Sequence, residues 1–261
     1  MTSRGELRAT FDEVAELYEK ARPAYPEELF DDLAELAALQ AGARVLEIGC
    51  GTGQATRSLA RRAYEVTCVE LGERLATVAR RALAGFDRVR VVQADFDVWE
   101  PGETPFDLVF AATSWHWLEP ATRWTKAAAA LEPGGALAIV TTAHVLPDGG
   151  DRFFADVQDV YEAAGEGRMS MPRPEVVEDE RGEIEASGCF GEVAVRRYLV
   201  EVAYSADEYV DLLDTYSGHR AMPEDKRSAL YSELRRRIEA RPDGRVRKAY
   251  LFILNLARRS S

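Results

Sequence analysis

The chain has 261 residues, 46% of them hydrophobic and 30% charged, which suits one large α/β domain or one domain with a sizeable insertion. A formal net charge of −12 argues against a surface built for nucleic acid, which needs a basic stripe, and against docking on anionic membranes. Three isolated cysteines, Cys50, Cys68 and Cys189, suggest neither a zinc site nor a disulfide framework, and the lack of a long apolar stretch or a signal-peptide pattern predicts a cytoplasmic protein.

Residues 8–20 space Phe11, Val14, Ala15, Leu17 and Tyr18 as one face of a helix, which breaks at Pro23. Pro26 opens a second helix with Glu27 and Glu28 in its first turn. Leu29, Leu33, Leu36 and Leu39 are its apolar face, and Gln40-Ala41-Gly42 ends it. Strands are predicted at 44–48, 65–69, 89–92, 107–112 and 136–141, each a short apolar run, as expected when both faces of a parallel sheet are covered. Helical patterns stand between them: 54–62, a segment carrying Leu75, Val78, Ala79 and Ala82, and 120–131. Alternation of this kind implies right-handed crossovers. Further on, 151–163, 206–216 and 223–240 read as helices, 165–182 as a flexible segment rich in Gly, Pro and charge, and 192–204 and 245–256 as strands.

The chemistry gathers at Val45-Leu46-Glu47-Ile48-Gly49-Cys50-Gly51-Thr52-Gly53-Gln54. A strand ends in an acid, three glycines follow at alternate positions, and a helix begins. Such a turn lets a ligand touch the main chain and aims free N–H groups at a negative group. The dinucleotide fingerprint is Gly-x-Gly-x-x-Gly; here the third glycine falls one residue early and Gln54 takes its place. Glu70 ends the second strand, where a carboxylate can accept from both ribose hydroxyls of a nucleoside; the competing reading is a solvated strand-end acid. Asp95, in Ala94-Asp95-Phe96, follows the third strand and reads either as a ligand contact or as the cap of a turn. Glu47, Gly49, Gly51, Glu70 and Asp95 all fall at carboxyl ends of predicted strands, where open α/β sheets bind ligands.

The glycine spacing led by Glu47 resembles motif I of the class I S-adenosylmethionine-dependent methyltransferases. The resemblance is strong over 44–141. It extends to Phe11-Asp12-x-x-Ala15-x-x-Tyr18-x-x-x-Arg22-Pro23-x-Tyr25-Pro26 and to Trp115-His116-Trp117, which look like the small-molecule branch of types 11 and 25, with relatives among the trans-aconitate and ubiquinone/menaquinone methyltransferases. It implies a doubly wound, mostly parallel, seven-stranded Rossmann-like sheet with helices on both faces, an N-terminal helical lid and a C-terminal helical insertion. One domain would span 1–261: a lid at 1–42, a cofactor-binding core at 43–142 and a C-terminal half at 143–261 with substrate-pocket helices. The implied cofactor is S-adenosyl-L-methionine, leaving S-adenosyl-L-homocysteine, held by Arg22, Glu47, Gly49, Cys50, Gly51, Gly53, Gln54, Glu70, Leu71, Asp95, Phe96 and Thr113. Leu71 would pack on the adenine, while Arg22 reads either as a carboxylate ligand or as a surface salt bridge.

Tyr18, Tyr25, Trp115, Trp117, His144 and His219 are expected to line a substrate pocket. His116 is the candidate general base, against the plainer reading of a structural histidine. The three histidines have no metal-ligand spacing, so no metal is expected. The predicted function is methyl transfer to oxygen, nitrogen or carbon of a small molecule, with no nucleic-acid or membrane partner and no statement on oligomeric state. The alternatives are an NAD-dependent oxidoreductase and a non-catalytic S-adenosylmethionine-binding protein, or one that uses the bound sulfonium for another reaction.

Overall fold

The computed structural model describes residues 12–165 and 171–260; Phe11 and positions 166–170 of the expected flexible segment lie outside them. In chain order the elements are α1 (Ala15–Ala21), α2 (Glu27–Ala37), β1 (Arg44–Ile48), α3 (Gln54–Arg61), β2 (Glu65–Glu70), α4 (Glu73–Ala82), β3 (Val89–Gln93) and β4 (Phe106–Ala112). Then come α5 (Arg123–Ala130), β5 (Leu131–Val145), α6 (Gln158–Ala163), α7 (Arg181–Ala186), β6 (Phe190–Ser205), α8 (Ala206–Leu213), α9 (Glu224–Glu239) and β7 (Arg245–Arg259).

The seven strands form one sheet in the order β3-β2-β1-β4-β5-β7-β6. β1 pairs in parallel with β2 and β4, β2 with β3, and β4 with β5, and the sheet carries one antiparallel hairpin. This is the doubly wound α/β architecture that the sequence predicts. The chain runs outward from β1 to β3 and returns to place β4 on the other side of β1, so the direction of winding reverses between β1 and β4. Ligands of open α/β sheets bind at that reversal, beyond the carboxyl ends of the strands.

The chain divides into two compact units, one of residues 24–142, 178–198 and 252–261, the other of 1–23, 143–177 and 199–251. The first holds β1 to β4. Its core joins Leu46, Ile48, Val109, Ala111 and Ile139 to Trp115, Ile184 and Phe190, all nearly removed from water. β1 is buried at four of five positions, so its run of Val, Leu and Ile is a strand because both faces are covered. α2 begins after Pro26 with two acids in its first turn and stops where Ala38 turns left-handed, with φ 55°. That stop precedes Leu39, which the periodicity had counted on the helix.

The second unit packs Phe153, Phe154 and Tyr209 edge to face, with Leu212, Leu230, Leu234 and Ile238 buried. α8 starts with a capping box: Ser205 Oγ accepts from the Glu208 N–H at 3.3 Å, and Glu208 accepts from the Ser205 N–H at 2.7 Å. Only the first two residues of α7, Arg181 and Gly182, fall in the segment expected to be flexible. Its six residues are mostly polar, but Ile184 is fully buried and anchors them. Among the described residues no helix is long and apolar enough to cross a membrane.

Asn255 is a polar residue inside the apolar run of β7 and is wholly buried. Its Oδ1 accepts from the Glu180 N–H at 3.0 Å, and its Nδ2 donates to the carbonyls of Ile139 at 3.3 Å and Ile253 at 3.4 Å. An isosteric apolar residue leaves those backbone groups buried and unpaired. Asn255→Leu is therefore expected to lower unfolding stability by about 1–3 kcal/mol despite its greater hydrophobicity. Urea unfolding checks this, and an unchanged midpoint would show that the amide bridges nothing of consequence.

Candidate functional site

The glycine run follows β1 directly. Gly49, Gly51 and Gly53 have φ of 69°, 56° and 88°, in the left-handed region that favours glycine. At Gly49 a Cβ would stand 2.6 Å from Ser114 Cβ, so the loops after β1 and β4 meet at van der Waals distance only because that position has no side chain. At Gly53, which caps α3, a Cβ would stand 2.8 Å from Leu83 Cδ1. Glu70, 6% exposed, closes the loop from β2. Its Oε2 accepts from the Gly51 N–H at 2.8 Å and its Oε1 from the Gly72 N–H at 2.9 Å.

The end of β4 supplies the other wall. Thr113 has φ 55°, a left-handed conformation that is costly for a β-branched residue. Its Oγ1 lies 3.1 Å from Tyr25 Oη. Ser114 Oγ donates to the Ile48 carbonyl, tying β4 back to β1. Trp115–Trp117 form a short 3-10 turn. Trp115 is buried in the core, 4.8 Å from the Trp124 ring and under the Arg123 guanidinium, so its indole is core rather than the pocket wall that the sequence suggests. His116 is exposed, with its ring 4.9 Å from the half-buried Trp117.

Asp95 follows β3 and its Oδ1 accepts from the Asp97 N–H at 3.0 Å, the turn cap that was one of its two readings. Phe96 is buried beside Trp99, with Lys126 Nζ 5.3 Å from its ring centre. Leu71, next to Glu70, is an exposed large hydrophobe, at 38% of its surface. Cys50 is buried in the loop, and Gln54 is the first residue of α3. Sequence reasoning passed over Thr52 and Ser114. Thr52 Oγ1 is buried with no hydrogen-bond partner among the described residues. The signal for both was position alone, inside the glycine run and at the end of β4.

Glu47 is 1% exposed. Cys68 Sγ lies 3.8 Å from its Oε2, and Thr56 also hydrogen-bonds the carboxyl. Burial raises its pKa to about 7, against the opposing pull of those hydrogen bonds.

The remaining sequence candidates belong to the other compact unit. Arg22 stacks between Tyr18, 4.9 Å from its ring centre, and Tyr216, 4.4 Å away, and its Nη2 donates to the Thr215 carbonyl at 2.9 Å. His144 packs against Phe154 at 4.8 Å, and burial together with the Lys248 charge lowers its pKa to about 2. His219 stacks on Tyr231 at 5.8 Å, and burial, Lys248 and Arg227 lower its pKa to about 4. Both imidazoles are neutral near pH 7.

Residues 45–135 match the model of a family described as "Methyltransferase domain". Over those residues the core of this chain is similar to a methyltransferase domain. The uncharacterized methyltransferase of Mycobacterium tuberculosis (strain ATCC 25618 / H37Rv) is 33% identical over 138 residues, 53% of this chain and 54% of that protein. The aclacinomycin 10-hydroxylase RdmB of Streptomyces purpurascens is 36% identical over 141 residues, 51% of this chain and 37% of that one. The chain thus spans about half the length, or less, of these two curated relatives. A solved structure described as a type II methyltransferase of Anaeromyxobacter dehalogenans shares the fold, with a TM-score of 0.65 at 22% identity over 91% of this chain and 97% of that one. The domain implies S-adenosylmethionine as cofactor.

Glu47 makes stability depend on pH in a defined direction. Its folded pKa, about 7, lies above the ordinary value of 4.5, so the folded state holds a proton that the unfolded state has lost. The resulting stabilisation is complete below pH 4.5 and is lost as pH rises through 7. Glu47→Gln keeps the shape without the titration. The stability of wild type minus variant is expected to fall by about 3 kcal/mol from pH 4 to pH 8. Parallel urea curves at the two pH values check this, and a constant difference would assign the carboxyl an ordinary pKa.

Proposed function

We propose that the chain transfers the methyl group of S-adenosylmethionine to a small-molecule acceptor. The observation that carries the reading is the convergence of the turns after β1, β2 and β4 at the point where winding reverses, closed by Glu70. The residues present fit the cofactor. Glu70 stands at the carboxyl end of β2, where a carboxylate accepts from ribose hydroxyls, and exposed Leu71 beside it offers an apolar face to an adenine. Thr52 Oγ1 is a buried polar atom that a ligand in the glycine loop would satisfy. The match of residues 45–135 to the methyltransferase model covers all of these positions.

When bound, the cofactor supplies an activated sulfonium methyl. Such a transfer runs on alignment and exclusion of water, so the chain's contribution is positional. Gly49 allows Ser114 to close the gap between β1 and β4. The Thr113–Tyr25 hydrogen bond holds the strained end of β4 in place. His116, exposed beside this turn, takes a proton from the acceptor when that acceptor is a hydroxyl or a carbon acid. A neutral amine needs none removed before attack.

A second reading keeps the cofactor and changes the reaction. A relative of this chain bears the name aclacinomycin 10-hydroxylase, so the same cofactor site is compatible with chemistry other than methylation. Release of S-adenosylhomocysteine in the presence of acceptors favours transfer, and consumption of substrate without it favours the second reading.

Calorimetric titration with S-adenosylhomocysteine and, separately, NADH tests the cofactor. Binding of the first is expected, and binding of NADH alone would replace the proposal with an oxidoreductase. Glu70→Ala is expected to weaken S-adenosylhomocysteine by about 1–3 kcal/mol. Equal affinity in wild type and variant would remove the ribose role. With a hydroxyl acceptor in hand, His116→Ala and His116→Gln are each expected to lower kcat on the order of a hundredfold with cofactor affinity intact. Normal turnover in both would show that alignment alone suffices.

A further inference from the structure

In the unit that holds α8 and α9, Lys248 is an ammonium group with almost no access to water, at 2% exposure. Among the described residues its one hydrogen bond is to Tyr216 Oη at 3.0 Å, and no carboxylate stands within ion-pair distance. An ammonium has three donors, and burying it costs several kcal/mol unless it is paired. Its Nζ also faces aromatic rings, 5.0 Å from the ring centre of Tyr216, 5.3 Å from that of Tyr250 and 5.9 Å from that of Tyr209. These compensate in part. Arg241, in the same unit, shows the ordinary solution, with its guanidinium 2.8 Å from the Asp151 carboxylate.

Other polar atoms share this setting. Tyr204 Oη and Tyr250 Oη lie 3.0 Å apart, both side chains buried. His144 packs its ring 6.2 Å from that of Tyr250, and its Nε2 is buried with no partner among the described residues. Its imidazole is neutral because burial and the Lys248 charge both oppose protonation, so the ring can donate one hydrogen bond without adding charge. A buried cation with a phenol and no carboxylate for partner, an unsatisfied imidazole nitrogen and phenolic hydroxyls among aromatic rings are what a binding site for an organic ligand contains.

We propose that Lys248, Tyr216 and His144 receive the carboxylate of a small organic acid, whose carbon body lies against the half-buried rings of Tyr216 and His144. A carboxylate fits better than a phosphate. It brings one negative charge to an ammonium that has no carboxylate partner among the described residues, and two oxygens for an ammonium and a neutral donor. The flat rings favour an apolar or aromatic body over a sugar. Its residues belong to the compact unit that does not hold the glycine loop, and the proposal does not depend on the methyl-transfer reading.

Calorimetric titration of the full chain with benzoate, benzamide and phenyl phosphate tests it. Benzamide keeps the shape of benzoate without the charge. Benzoate is expected to bind at one site at least tenfold tighter than benzamide, and tighter than phenyl phosphate. Lys248→Met is expected to weaken benzoate at least tenfold while S-adenosylhomocysteine binds as in wild type. Benzoate no tighter than benzamide, or undiminished in a folded Lys248→Met, would overturn the proposal. Stronger binding of phenyl phosphate would overturn the assignment to carboxylates. Should Lys248→Met not fold, the comparison on wild type and the milder Tyr216→Phe decide, the latter expected to weaken benzoate severalfold and, if it does not, overturning the site. Loss of S-adenosylhomocysteine binding in wild type would count against methyl transfer and leave the carboxylate site standing.

Discussion

The candidate cofactor site hangs on one carboxylate. Glu70 accepts the backbone N–H of Gly51 through one oxygen and that of Gly72 through the other, so it holds the loop after β1 to the turn that opens α4. Charge-assisted bonds of this kind are stronger than neutral ones, and both are nearly shielded from water. The neighbouring constraint is steric. Gly49 has no Cβ, Ser114 fills the space, and the Ser114 hydroxyl bonds back to β1 through the Ile48 carbonyl. With those two constraints in place, three turns from three strands are brought together, and the strained Thr113 at the end of β4 is retained with the help of Tyr25.

The molecule buries ionisable groups in contrasting ways. Glu47 sits inside β1, served among the described residues by Thr56 and the Cys68 thiol, and responds by holding its proton to about pH 7. Lys248 sits inside β7 among tyrosines, and its charge is felt by Tyr216, whose pKa is lowered by Lys248 and Arg22 against the upward push of burial. A carboxyl can discharge by taking up a proton in the working pH range. The ammonium is instead shared with a phenol, which is why the surroundings of Lys248 are chemically unlike the rest of the core.

Most of the architecture was legible in the chain. Short apolar runs alternating with helical patterns leave little choice but a doubly wound parallel sheet, because each strand must be covered on both faces and each crossover must be right-handed. The glycine run, Glu70 and Asp95 were legible for the same reason, since they lie at the carboxyl ends of consecutive strands, whose placement follows from order along the chain. The end of β5 was not, as Leu131–Val145 extends through Pro133-Gly134-Gly135 on both sides of the predicted 136–141. Nor was α7, whose one buried residue, Ile184, is too little for a periodic signal.

What the sequence by itself determined was the identity of the groups and their strand ends. Which way each side chain faces was decided by tertiary structure. Trp115 and His116 are adjacent in the chain, yet one turn of 3-10 helix sends the indole into the core and leaves the imidazole in solvent. Arg22 reads equally well as a ligand for a carboxylate or as a surface ion pair, and the fold stacks it between Tyr18 and Tyr216, residues 4 and 194 positions away. Lys248 and Asn255 look like interruptions of an apolar strand. Contacts from distant parts of the chain, Tyr216 for one and Glu180 and Ile139 for the other, make them its two polar anchors. Such partners are fixed by packing across many residues of chain, and no local pattern records them.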